Sequence, residues 1–225
     1  MDIRTEEING ERYYLVNGNR YVSVTTVFNI LEKHGLSQWR ARVGQAEADR
    51  ITNEAGEFGT NLHYVCQLAA EGTEPEEVRT LIGSGKYAEQ MAEDLLIGFN
   101  RFWEWFECMV DEVVGVEEAV YSDSWGVAGR LDFILRLKGD TKLSICDIKT
   151  GKLKPIAKLQ TAAYRGLVTE CTSLELVDVE RRVLIPVPRG KNAPVKIKEF
   201  PKCEADHDLN AYLSLVNVWK WFKGK

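Results

Sequence analysis

Apolar residues alternate with polar ones in two short runs near the start of the chain, 12–16 and 21–27, and the Asn17-Gly18-Asn19 between them is turn chemistry that tolerates positive φ. These runs predict a β pair. From about residue 25 to 109 the apolar period lengthens to that of a helix, with breaks expected at Gly35, Gly56, Gly72 and Gly83-Ser84-Gly85. Ser37 reads as an N-cap and Pro75 as a first-turn proline. The longest segment, 86–109, sets Leu95, Leu96, Phe99, Phe102, Trp103 and Phe106 on one stripe that belongs to the core. Trp105 falls off that stripe and reads as a partly buried aromatic rather than a base-stacking one.

After Asp111 the period switches to two. Strands are predicted over 113–121, 129–137 and 142–149, joined by turns at 122–125 and at Lys138-Gly139-Asp140, as a three-strand antiparallel meander. A helix over 155–170 follows, then strands over 181–187 and 195–200 around Pro188-Arg189-Gly190-Lys191. A last helix over 208–222 carries the stripe Tyr212, Leu215, Val216, Trp219 and Phe222. This order predicts an α/β or α+β fold around a mixed sheet flanked by helices. The 225 residues suit a single domain: a β pair and helical wall over about 1–110, a sheet and helix carrying the chemistry over about 111–200, and a C-terminal helix over about 206–225.

Composition changes this picture little, but the distribution of charge changes it substantially. The net charge is −5, yet residues 1–148 hold 14 Lys/Arg against 26 Asp/Glu, whereas 149–202 hold 12 against 5. A basic block on an acidic protein can bind a polyphosphate locally, because screening over about 8 Å leaves only the nearby surface to matter; a solvated basic face fits the same count. The acidic, polar N-terminus resembles no secretory or transit segment, and no run of about 18 apolar residues exists, so a cytosol-like compartment and no membrane are expected. Five scattered cysteines, Cys66, Cys108, Cys146, Cys171 and Cys203, contain no Cys-x-x-Cys pair and read as buried free thiols.

Candidate chemistry gathers in Gly129-Arg130-Leu131-Asp132 and Cys146-Asp147-Ile148-Lys149-Thr150-Gly151. Residues two apart on a strand share a face about 7 Å from one another, so Asp147 and Lys149 point the same way. A hairpin register that sets Asp132 beside Asp147 would offer two carboxylates to one hard cation, Mg²⁺ or Mn²⁺, with the lysine alongside. That set suits phosphodiester hydrolysis. Asp-x-Lys alone is weak, since about one is expected by chance in a chain of this length. Asp140-Thr141-Lys142 also fits but sits in a turn without a partner carboxylate, and an ordinary Asp–Lys ion pair at a strand end explains the second triplet equally well.

The order Gly59-Thr60-x-x-His63, Gly129-x-x-Asp132, Asp147-x-Lys149-Thr150-Gly151 and Gln160-x-x-x-Tyr164, with Ser23-Val24-Thr25-Thr26 near the start, resembles the RecB-like branch of the PD-(D/E)XK nuclease superfamily over about residues 21–170. The likeness is greatest to phage exonucleases and the mitochondrial genome maintenance exonuclease type. It implies a restriction-endonuclease-like core and metal-dependent cleavage of DNA, with Asp132 and Asp147 as metal carboxylates and Lys149 as the catalytic lysine. It further implies His63 and the Ile148 carbonyl as metal ligands, and Gln160 and Tyr164 along the DNA path. A glutamate one strand earlier falls on Glu117 or Glu118, of which spacing to Val120-Tyr121-Ser122 favours Glu117. Taken without the resemblance, His63 on its otherwise apolar helix reads first as a structural histidine. Leu131 stands where the family name has Pro, and the four cysteines of the cluster-bearing branch are missing, so no iron–sulfur cluster is expected.

DNA contacts are expected from Thr150, Lys152, Lys154, Lys158 and Arg165 around the site and from Arg181, Arg182, Arg189, Lys191, Lys196 and Lys198 beyond it, binding phosphates without regard to sequence. The functional expectation is an Mg²⁺- or Mn²⁺-dependent exonuclease on single-stranded or free-ended DNA, in replication, recombination or repair. A structure-specific endonuclease on the same fold and a catalytically silent DNA-binding recombination subunit are the alternatives.

Overall fold

The computed structural model describes residues 3–31, 34–170 and 179–224, the side chains of 34–36 excepted. Cys171 and the side chain of His34 lie outside the described residues. The chain opens with three antiparallel strands, β1 (Ile3–Ile8), β2 (Glu11–Val16) and β3 (Asn19–Ser23). Asn9-Gly10 and Asn17-Gly18 make the two turns, all four residues at positive φ (49° to 85°), as two-residue hairpins with the right twist require. The strand expected over 21–27 ends at Ser23, because Val24–Val27 turns into the short helix α1. Thr26 then pins α1 to the hairpin, its hydroxyl accepting from the Arg12 N–H (3.2 Å) and donating to the Arg12 carbonyl (3.1 Å).

Helices α2 (His34–Val43), α3 (Gln45–Ala70), α4 (Pro75–Gly83) and α5 (Glu89–Met109) follow. The break lies at Gly44, with φ +88°, and not at Gly35 or Gly56, which continue their helices; Ser37 sits inside α2 and not at a helix start. Pro75 opens α4 as its lack of an N–H allows. Strands β4 (Val110–Ser122), β5 (Val127–Leu137) and β6 (Leu143–Lys149) form the antiparallel meander. Helix α6 (Ile156–Glu170), strands β7 (Val179–Pro186) and β8 (Lys198–Phe200), and helix α7 (Ala205–Phe222) complete the order.

The result is a mixed eight-stranded sheet flanked by helices. One apolar cluster joins α3, α4 and α5 to side chains of β5, β6 and β7, among them Phe133, Cys146, Ile148 and Ile185. A second joins α1, α6 and α7 to Tyr13, Val22, Leu131, Ile134 and Ile145, and a small third gathers Tyr14, Val16, Tyr21 and Ala128. Strands β5 and β6 are buried nearly throughout, the mark of strands covered on both faces. Trp105 is core, 7% exposed and packed against Phe102, whereas Trp103 is only partly buried. At the end of α7 Tyr212, Val216 and Trp219 are buried but Phe222 is 67% exposed, so the expected stripe stops one turn early. Of the described cysteines, Cys66 and Cys146 are buried free thiols; Cys108 and Cys203 are exposed, contrary to the blanket expectation. Among the described residues no helix is long and apolar enough to cross a membrane.

Strand β5 has a divided edge. Its first two residues pair in parallel with β3 (Val127 with Val22, Ala128 with Ser23), and Phe133–Arg136 pair with β6. Both partners share one edge, because β4 occupies the other along both stretches. Residues 129–132 are left between them without a strand neighbour on that edge, and the candidate site forms there.

Candidate functional site

A cavity of about 860 Å³ opens at this gap. Strand β5 supplies Arg130 and Asp132, β6 Asp147 and Lys149, β4 Glu117, and α6 Gln160 and Tyr164. The long helix α3 presents Thr60, His63, Tyr64 and Gln67, spaced i, i+3, i+4 and i+7 and hence on one face, while Phe58, Leu62, Val65 and Cys66 face the core. The N-terminal hairpin and the start of α1 contribute Arg12, Tyr14, Ser23 and Thr25 to the remaining wall.

Two glycines of the sequence motifs are explained by close approach. A Cβ on Gly129 would lie 2.6 Å from the Tyr164 ring, so only glycine lets α6 seat that tyrosine against β5. A Cβ on Gly59 would lie 3.2 Å from the Thr150 hydroxyl, so α3 approaches the end of β6 closely there.

One donor atom each from His63, Glu117 and Asp132 lies within 4.8 Å of the others, a set that could hold a metal ion. Glu117 stands between the registered pairs Val116↔Phe133 and Glu118↔Leu131, opposite Asp132, with φ +51°. A left-handed glutamate inside a strand costs about 1 kcal/mol or more and belongs to sites where the surroundings hold it in place. Glu118 is not in the donor set; its side chain folds over Gly115. His63 Nδ1 is 3.3 Å from Asp132 Oδ2. The same oxygen accepts the Ile148 N–H at 2.7 Å, where the β5–β6 ladder has run out. An extended residue points its N–H and C=O to the same side, so the Ile148 carbonyl also faces β5.

Asp147 departs from the expectation of a carboxylate paired with Asp132 on one ion. Among the described residues it is not in the donor set. It is buried and ion-paired to Lys149, and it accepts from Gln160 Nε2 at 3.1 Å. Lys149 Nζ donates to Gln160 Oε1 at 3.1 Å, which closes a three-membered ring of polar contacts. Gln160 Nε2 also donates to the Tyr164 hydroxyl at 3.4 Å. Both α6 residues line the cavity as the motif suggests, but Gln160 acts first as the brace that orients Lys149, and Tyr164 is buried beneath it.

Charges in this enclosed space perturb one another. Burial opposes a charge on His63, but the Asp132 carboxylate beside it prevails and lifts its pKa to about 9. Burial also works against Asp132, whose pKa is nevertheless lowered by His63, Lys149 and the Ile148 N–H. Burial and then the charge of Asp132 push Asp147 up to about 6, and the same two causes raise Glu117. Two carboxylates and an imidazole form the donor set and Asp147 crowds it from beside Lys149, with Glu117 and Asp147 both held above their ordinary range, a repulsion that a hard cation would relieve.

The expected basic contacts are only partly placed around this cavity. Thr150 is half-buried beside Gly59, and Lys152 and Lys154 are exposed on the loop after β6. Lys158 instead points to α7, ion-paired to Glu204 and to Asp208 (3.1 Å), and Arg165 lies 3.9 Å from Asp206. Arg182 is fully buried against Asp208 (2.8 Å). Arg181 is engaged by Asp140 and Glu199, and Arg189 by Asp94. These arginines and Lys158 hold the fold together and are not a free phosphate-binding face; Lys191, Lys196 and Lys198 are exposed. The cations that do line the cavity are Lys149, Arg12 and Arg130, the last 4.0 Å from Glu117. Arg130 stood inside the Gly129-x-x-Asp132 motif, two residues from Asp132, and that spacing was the signal for it. Arg12 and Tyr14 carried no such signal, because only the fold of the hairpin brings them here.

No family model and no curated protein matches the chain. Among solved structures it is similar to the crystal structure of SSO0001, with 13% identity, 70% of this chain and 86% of that one covered, and a TM-score of 0.27.

Proposed function

We propose that this protein is a metal-dependent deoxyribonuclease with a PD-(D/E)XK core of the RecB-like kind, acting as an exonuclease on single-stranded or free-ended DNA. One observation carries this reading: His63 from a helix and Glu117 and Asp132 from two strands, more than fifty residues apart at the extremes, bring donor atoms together beside an Asp147–Lys149 pair in one open cavity. A structural ion pair needs no imidazole, no third carboxylate and no strained glutamate.

Mg²⁺ or Mn²⁺ held by His63, Glu117 and Asp132, with the Ile148 carbonyl in reach, would neutralise phosphate oxygens and acidify a water. The chain's own residues do the rest. Lys149, held by Asp147 and Gln160, presents its ammonium to the cavity, where it orients the attacking water and stabilises negative charge growing on the phosphoryl oxygens. Tyr164 fixes Gln160 from below, so the amine keeps one position while the substrate exchanges. Arg130 and Arg12 line the same cavity, with Glu6 and Glu7 also on its wall, and supply the cations for the flanking phosphates.

The test is a time course on linear and circular single-stranded oligonucleotides with Mg²⁺ or Mn²⁺. Cleavage of the linear form alone is expected, and Lys149→Ala is expected to reduce it at least about a hundredfold, the loss of one transition-state donor. Equal cutting of circles would assign an endonuclease, and full activity in Lys149→Ala would remove the mechanism.

A further inference from the structure

The cavity-facing side of α3 carries an aromatic residue that the hydrolytic chemistry does not use. Tyr64 follows His63, lines the cavity and leaves 40% of its surface exposed, although aromatic side chains on this helix otherwise face the core. The Lys86 ammonium, from the exposed turn between α4 and α5, lies 4.9 Å from the centre of its ring and 5.3 Å from that of Tyr87. An exposed ring held in place by a cation, at the mouth of a polar cavity, has the two components with which single strands are gripped: a π-face for a base and a positive charge for the backbone. A base paired within a duplex has no free face to offer.

We infer that Tyr64 is a stacking platform for an unpaired nucleobase next to the phosphate at the His63, Glu117 and Asp132 donors, with Lys86 as the adjoining phosphate contact. The inference rests on the nuclease reading and assigns its substrate class to single-stranded DNA through a named residue. Tyr64 would line the strand's path with a base against its ring, and Arg130 and Arg12, which line the same cavity, would take phosphates. The residue does no chemistry; it selects and positions.

The experiment is fluorescence anisotropy of a labelled oligothymidylate in EDTA, where binding is read without cleavage. Tyr64→Ala is expected to weaken binding about tenfold, the scale of one stacked base, and Tyr64→Phe to stay within about twofold of wild type. The loss should vanish on an oligonucleotide whose bases are replaced by abasic spacers. Lys86→Ala should reduce the slope of log affinity against log salt by about 0.7, as one released phosphate contact does on a single strand. Wild-type affinity in Tyr64→Ala, or the same loss on the abasic strand, overturns the inference. If Tyr64→Ala fails to fold, Tyr64→Leu serves, with the same losses expected. Cleavage by the wild type in Mn²⁺ is scored separately: cleavage together with unchanged Tyr64→Ala affinity removes the stacking role alone, whereas a wild type that neither binds nor cleaves removes both readings.

Discussion

Among the described residues, two clusters of charge are built on opposite plans. Between β7, α6 and α7, Arg182 and Lys158 close on Asp208 and Glu204, cations and anions alternate, and Arg182 also donates to the carbonyls of Lys158 (3.3 Å) and Pro201 (3.4 Å). At the gap in β5, three carboxylates crowd one another and one imidazole, and the cations Lys149 and Arg130 stand at the margin. The first sets opposite charges directly against one another, although Arg182 Nε finds no hydrogen-bond partner, and none of its residues lines the cavity at the β5 gap. The second is frustrated, faces 860 Å³ of open space, and includes a residue at φ +51°. A closed network fixes helices to a sheet; an unbalanced one is poised for a ligand of opposite sign.

The largest effect that separates the two plans belongs to the closed cluster. Asp208→Ala leaves Arg182 buried without its carboxylate, so a loss of about 3–5 kcal/mol in unfolding free energy is expected by denaturant titration, with cleavage per folded molecule unchanged. A loss below about 1 kcal/mol would show that water reaches Arg182 and that the network is not closed.

Next in size is the contact that seats α6 against the site. Gly129→Ala drives a methyl to 2.6 Å from the Tyr164 ring, with Val24 3.1 Å away on the same side, so ring and backbone must shift. Overpacking of this kind costs about 1–3 kcal/mol. Because Tyr164 supports Gln160, and Gln160 braces Lys149, kcat should fall more than stability alone explains. Gly139→Ala is the control: its turn has open space, though its φ of +84° adds backbone strain of its own. Equal effects of the two substitutions on kcat would deny Gly129 its positioning role.

These clusters also divide what could be read in the sequence from what could not. The order of the later strands and helices was legible because β5 and β6 are near-continuous apolar runs and α6 carries a periodic apolar face, each between clear turns. Glu117, His63, Asp132 and Lys149 were legible as candidates from motif order, and the cavity contains all four. Strand β1 was missed although Asn9-Gly10 carries the same turn signal as Asn17-Gly18, because its residues, Ile-Arg-Thr-Glu-Glu-Ile, bury little on an edge. Asp147 was assigned to the ion because adjacent strands suggested a shared register. The ladder ends at Phe133↔Cys146, and beyond it each carboxylate turns to its own partner. The role of the basic block was not legible at all. A count of lysines and arginines carries no information about the acids that α7 and the turn after β5 bring against them.

Glu117 gives a smaller effect of opposite sign. Burial and the neighbouring Asp132 hold its carboxyl above the ordinary range, so its charged form weakens the folded state near neutral pH. Glu117→Gln should therefore leave stability in EDTA unchanged or raised by up to about 1 kcal/mol, while Mn²⁺, which stabilises the wild type by binding only its folded form, should no longer raise the melting temperature. A destabilised Glu117→Gln protein would mean that Glu117 belongs to a closed network like that of Asp208.

The smallest effect is a slope. His63 has its pKa raised from 6.5 to about 9 by Asp132, so in EDTA the imidazolium stabilises the fold fully below pH 6.5, and that contribution is lost as pH rises through 9. Asp147, raised to about 6, adds a decline of the same sign at lower pH, between its ordinary value near 4 and 6. Unfolding in EDTA should thus become easier from pH 6.5 to 9, and His63→Gln should flatten that segment, while the lower one persists and moves up in pH because Asp147 loses the imidazolium that holds it down. Mn²⁺ should reverse it, because an ion needs the neutral ring and competes with the proton, so its affinity grows with pH over the same interval. An unchanged slope in His63→Gln would place the titration elsewhere and leave the imidazole as a structural partner of Asp132.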